Sequence, residues 1–139
     1  YFYLKIYMNF ENLLKKIMDS DVNIRHSIIT DAEGSVLTTS HRDGVTNYLS
    51  EDETNASLKR AAGAWKARKQ LSPKIGNGKY AVAAFEKITR VTFPLGDENL
   101  IFVSLGSEEV RTDLHAGGQN QIILDVLNIL SRDPTKAMP

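Results

Sequence analysis

The chain has no cysteine. That excludes disulfides, thiol chemistry and any zinc or iron–sulfur centre held by thiolates. It also suits a reducing compartment, so a cytoplasmic location is expected. Proline is scarce, with 4 in 139 residues, and tryptophan occurs once. No apolar run approaches the roughly 18 residues of a membrane span. The apolar opening "YFYLKIY" is too short for a signal peptide, and no small-residue cleavage site follows it. An excess of one charge is missing too: Lys plus Arg is 17 and Asp plus Glu is 17. This balance gives no electrostatic ground for a nucleic-acid or membrane partner, and it mildly favours self-association. What is present is an ordinary globular composition, 42% hydrophobic and 24% charged. A chain of this length makes one domain that buries roughly two-thirds of its unfolded surface.

Residues 1–7 admit two readings. They form a leader outside the domain, with Met8 the true start, or a short strand in which Phe2, Leu4 and Ile6 alternate with Tyr3 and Lys5. A single domain is expected over 8–132, with a flexible tail over 133–139. Asn9 reads as an N-cap. Phe10, Leu13, Leu14, Ile17 and Met18 follow at helical spacing, which predicts a helix to about Asp19. "NIRHSIITD" alternates as a strand, "DAEG" turns at Gly34, and "SVLTTS" is a second strand. After the loop "HRDGVTNYLS", Ser50 and Glu53 form a capping-box pattern, which opens an alanine-rich helix through "KARKQL". "SPKIGNG" ends it. Three strands follow: "KYAVAAFEKI", a short "TRVTFPL" interrupted by Pro94, and "LIFVSLG". The last is the most apolar and is expected in the middle of the sheet. Ser107 before two acids reads as a helix start, interrupted at Gly117 and Gly118, and "QNQIILDVLNILSRD" is the final helix.

Candidate chemistry is thin. "GNGK", residues 76–79, echoes a phosphate loop, but a helix precedes it, a strand follows it, and Tyr80 stands where Ser or Thr is needed. His26, His41 and His115 lack the spacing of helical metal ligands. Asp31 and Glu33 are ordinary turn residues, and Ser35 lies in no nucleophile elbow. Lys59, Arg60, Lys66, Arg68, Lys69, Lys74 and Lys79 are spread around the alanine-rich helix and past its end, which predicts a solvated face rather than a nucleic-acid patch. No catalytic residue, metal or cofactor is expected. The small residues Ala61, Ala62, Gly63, Ala64 and Ala67 would let another backbone approach closely, and "YAVAAF" is apolar on both faces. An apolar edge strand is a liability unless it is paired or covered. A homodimer is therefore expected, with Ala61, Ala64, Trp65, Arg68, Tyr80, Val82 and Ala84 at the interface.

"IRHSIITDAEGSVLTTS" resembles the first hairpin of the roadblock family, related to dynein light chains: an apolar strand ends in Asp-x-x-Gly, and the next strand carries small polar residues. The alanine-rich helix, three further strands and the aliphatic last helix match that family's layout over about residues 9–131. The chain looks most like archaeal members of the group, and profilin and longin folds share much of the architecture. The resemblance implies an α+β fold, a five-stranded antiparallel sheet with flanking helices in the order α-β-β-α-β-β-β-α. It also implies homodimerisation through the alanine-rich helix and the third strand, and a non-enzymatic scaffold role, often with a small Ras-like GTPase as partner. The segment "SEEVRTDLHAGGQNQ" and the loop "HRDGVTNYL" depart from the family pattern. Two rival readings stand beside this one: a small-molecule sensor of the PAS or GAF type, and an enzyme using Asp31, Glu33 or His115.

Overall fold

The computed structural model describes residues 2–106 and 118–132. In chain order the elements are α1 (Phe2–Ser20), β1 (Ile24–Asp31), β2 (Val36–His41), α2 (Glu51–Lys69), α3 (Ser72–Ile75), β3 (Ala81–Ala84), β4 (Ile88–Leu95), β5 (Asn99–Gly106) and α4 (Gln119–Arg132). The strands make one antiparallel sheet in the order β2-β1-β5-β4-β3. The most apolar strand, β5, is central, as its composition predicts. This is the expected α+β fold, with the short α3 added after α2.

Each face of the sheet has its own core. Phe10, Leu13, Leu14 and Ile17 of α1 and Ile122, Ile123 and Val126 of α4 cover one face, against Ile29, Val91, Phe93, Ile101 and Val103. On the other face, Leu58, Ala62 and Trp65 of α2 pack on Ile28, Leu100 and Phe102. Burying side chains of this size contributes about 1.5–3 kcal/mol each. The spacing of Leu58, Ala62 and Trp65 is that of a single helical stripe. Two contacts fix how α2 is rotated about its axis. Ser57 Oγ accepts from Arg90 on β4 at 2.8 Å, and Lys66 pairs with Glu33 in the β1–β2 turn. One flank of α2 therefore looks toward β4 and β3, and the other toward β1 and β2.

The capping box at Ser50 forms as its sequence implies: Glu53 N–H donates to Ser50 Oγ, and Ser50 N–H donates to Glu53 Oε1. Other local expectations need correction. Residues 2–7 are helical and not a strand, and Asn9 lies inside α1 and not at its cap. The helical spacing of Phe10 and Leu14 runs back through Tyr7 and Tyr3, and it prevails over a six-residue alternation. β3 is only four residues long, because the chain turns tightly after Ala84, where Phe85 N–H donates to the Ile88 carbonyl at 2.8 Å. Glu86 and Lys87 sit in that turn without the usual turn residues. Pro94 does not interrupt β4. Pairing with β3 reaches only Thr92, so Pro94 stands where β4 is itself an edge and needs no donor on that side. Arg42 is an unforeseen staple: its guanidinium donates to the carbonyls of Met18, Asp21 and Ile24, which joins the end of α1 to β1. The expectations on Ser107, Gly117, His115 and the tail lie outside the described residues.

Candidate interaction surface

β3 ends the sheet and, among the described residues, pairs only with β4, so its outer row of backbone donors and acceptors has no strand partner there. Its side chains divide by register. Ala81 and Ala83 stand opposite Thr92 and Arg90, on the face covered by α2; Val82 and Ala84 point to the opposite face. Tyr80 lies on that second face, its ring 6.3 Å from that of Phe93. Val82, Ala83 and Ala84 are exposed, and Phe85, next in the chain, is 63% exposed. An apolar, unpaired strand edge is a template for another strand.

On α2, Ala64 and Arg68 are exposed and Ala61 is half-buried. By helical rotation all three lie on the flank shared with Ser57, which looks toward β4 and β3. Small residues on that flank and on the near face of β3 leave room for a helix from outside to approach. Trp65 is placed differently from the other predicted contacts. It is 7% exposed and belongs to the core beneath α2, with Gly78 lying against its indole. The structure thus brings Ala61, Ala64, Arg68, Tyr80, Val82 and Ala84 around one edge of the molecule, and Trp65 supports them from inside. Ala83 and Phe85 belong to the same edge, and the sequence reading does not single them out for the interface. Ala83 shares the α2 face with Ala81 yet is exposed, and which strand residues are left uncovered depends on where β3 turns.

The residues of the enzyme reading are engaged otherwise. Asp31 Oδ1 accepts from the N–H groups of Glu33 and Ser35, each at 2.9 Å, which holds the β1–β2 turn closed. Glu33 pairs with Lys66. Among the described residues no group of three or more His, Asp or Glu is placed to hold a metal ion. His26 and His41 do meet, stacked across β1 and β2 with ring centroids 5.9 Å apart. His41 Nε2 is 2.7 Å from Asn47 Oδ1. Burial, reinforced by the nearby His41, Arg25 and Arg90, lowers the pKa of His26 to about 4. No helix among the described residues is long and apolar enough to cross a membrane. Lys59, Arg60, Lys66, Arg68, Lys69, Lys74 and Lys79 are all exposed.

No family model and no curated protein matches the chain. Solved structures do match. A Roadblock/LC7 domain from Streptomyces avermitilis superposes with a TM-score of 0.62 at 11% identity, covering 86% of this chain and 89% of that one. The gliding protein MglB from Thermus thermophilus gives 0.61 at 15% identity, covering 91% of each chain. A structure described as MglB with tetrameric arrangement gives 0.69 at 14% identity, covering 96% of this chain and 93% of that one. With the strand order in hand, and α1 and α4 on one face and α2 on the other, these likenesses establish that the chain has the roadblock-type fold.

Proposed function

We propose that the chain is a non-enzymatic interaction module that works as a homodimer, its partner a small Ras-like GTPase. The observation that carries the reading is the apolar edge of β3, without a strand partner among the described residues, beside the flank of α2 that looks toward it. In a two-fold dimer the same patch meets itself, so two β3 edges extend one sheet across both subunits and two α2 helices pack at Ala61 and Ala64. Trp65, Arg68, Tyr80, Val82 and Ala84 complete the proposed interface. The tetrameric arrangement in the description of one MglB structure supports self-association of this fold. The GTPase partner rests on the roadblock resemblance, and the engagement of Asp31 and Glu33 in a turn and an ion pair supports a role without catalysis.

The absence of native cysteine makes a direct test. Single cysteines are placed in turn at positions 81–84 and at Leu37 on β2, the opposite edge of the sheet. Near a two-fold axis a residue faces its own copy, so at least one β3 position gives a disulfide-linked dimer on mild oxidation, while Leu37→Cys stays a single chain. Cross-linking no better from β3 than from Leu37 overturns the dimer.

A further inference from the structure

The strand registers align four polar residues in one row across the sheet. His41 stands opposite His26, His26 opposite Ser104, and Ser104 opposite Arg90. The row is on the α2 face, since Ile28 and Phe102, two residues along, lie in the core beneath α2. Apolar packing ends there, and residues 46–49 of the loop close over the row.

Two members of the row have unmet polar needs. Ser104 is 1% exposed, and its Oγ has no hydrogen-bond partner among the described residues. A buried hydroxyl left unpaired costs about 1–3 kcal/mol. Arg90 is half-buried, and its guanidinium donates to Ser57 Oγ and lies 5.5 Å above the Phe102 ring. No carboxylate pairs with it among the described residues. A desolvated cation without a counter-charge is costly. Arg25 is close by, donating to the Thr46 carbonyl and stacked on Tyr48.

These groups wall a small cavity of about 40 Å³ lined by Arg25, His26, Tyr48, Arg90 and Ser104. It adjoins a larger cleft of about 660 Å³, with which it shares His26, Ile28, Asn47, Leu49 and Thr54. The cleft adds Ser35, Thr39, His41, Asn55 and Lys59, against a single carboxylate, Glu51. Its volume lies within the range of roughly 300–1,000 Å³ typical of small-molecule sites. Its polar walls are mostly hydroxyls, amides and the two imidazoles, with one cation, Lys59; the arginines stand in the smaller cavity. Both imidazoles line the cleft, 25° from parallel to each other.

We propose that this row and cleft bind a small organic oxyanion, with the anionic oxygens on Arg90 and Ser104 and a planar body against His26 and His41. An oxyanion supplies what both groups lack: a counter-charge for the guanidinium and an acceptor for the hydroxyl. The smaller cavity has room for the oxygens, and the cleft for the rest of the molecule. Carboxylate and phosphate share this chemistry. The site belongs to one subunit and does not depend on the dimer.

The test is a titration of the full chain, followed by NMR at the backbone amides and the histidine rings. One arm uses inorganic phosphate and the other benzoate. The expected result is a saturable shift at Arg90, Ser104 and His26 with at least one probe, and the tighter probe identifies the anion. Arg90→Gln weakens that binding about tenfold or more, as loss of a charge-assisted contact does. Ser104→Ala removes a hydroxyl that the fold leaves unpaired, so it folds and weakens binding several-fold; it decides the matter should Arg90→Gln not fold. Lys69→Gln, at the far end of α2, changes nothing. No saturable shift with either probe, shifts confined to exposed lysines, or undiminished binding in Ser104→Ala overturns the proposal.

Discussion

Gly34→Ala is expected to destabilise the chain by about 2–5 kcal/mol, the sum of backbone strain and a close contact that cannot relax. Gly34 has φ of +87°, a conformation that L side chains rarely adopt. A Cβ there would also lie 2.8 Å from both the Leu58 carbonyl oxygen and the Lys59 Cα. Both are backbone atoms in the middle of α2, so neither can swing aside. The turn that Asp31 closes is thus pressed against the helix whose other flank forms the proposed interface. A urea titration checks this: the midpoint falls with the slope unchanged. A loss under about 1 kcal/mol would mean that α2 does not sit this close to the turn.

Acidification from pH 6.5 to pH 4 is expected to remove no more than about 3 kcal/mol through His26, less whatever water reaching its ring screens. The pKa of His26 is lowered from 6.5 to about 4, by burial first and then by His41, Arg25 and Arg90. Between those values the unfolded chain takes up a proton that the folded chain refuses, so stability falls as pH falls and levels off below about 4. Glu53, held ionised by hydrogen bonds from Ser50, acts in the same direction only at the acidic end of this window. Urea midpoints at several pH values show the slope, and His26→Gln flattens it. A His26 ring that titrates near 6.5 by NMR contradicts this reading.

The architecture was legible because most elements carry concordant local signals. The capping box at Ser50 and Glu53 and the apolar run of β5 each point one way and agree with one another, whereas the alternation read over 24–31 breaks at a register shift after Ile24, which puts Ile24 and Ile28 in different cores. What was not legible depends on long-range geometry. Pro94 reads as a strand breaker until β3 is seen to stop short of it. The turn at Glu86 and Lys87 lacks turn residues and is set by the pairing of β3 with β4. Helical spacing puts Trp65 on the apolar face with Leu58; that face is the one buried on the sheet, so Trp65 does not belong with the exposed contacts it was grouped with. The row from His41 to Arg90 joins four strands and has no trace in any local stretch. Only the register places a lone serine between an imidazole and a guanidinium.

The β3 edge and the α2 flank are proposed to pair with their own copies across a two-fold axis. Ala64 is exposed on α2, away from both cores, so a change there leaves the subunit's own packing intact. Ala64→Glu would place like charges against each other across a two-fold axis. The most direct measurement is solution mass by light scattering, on the natural chain and on Ala64→Glu. The account predicts twice the 15.5 kDa chain mass for the natural protein and the single-chain mass for the folded variant. A natural chain that scatters as a 15.5 kDa monomer contradicts it.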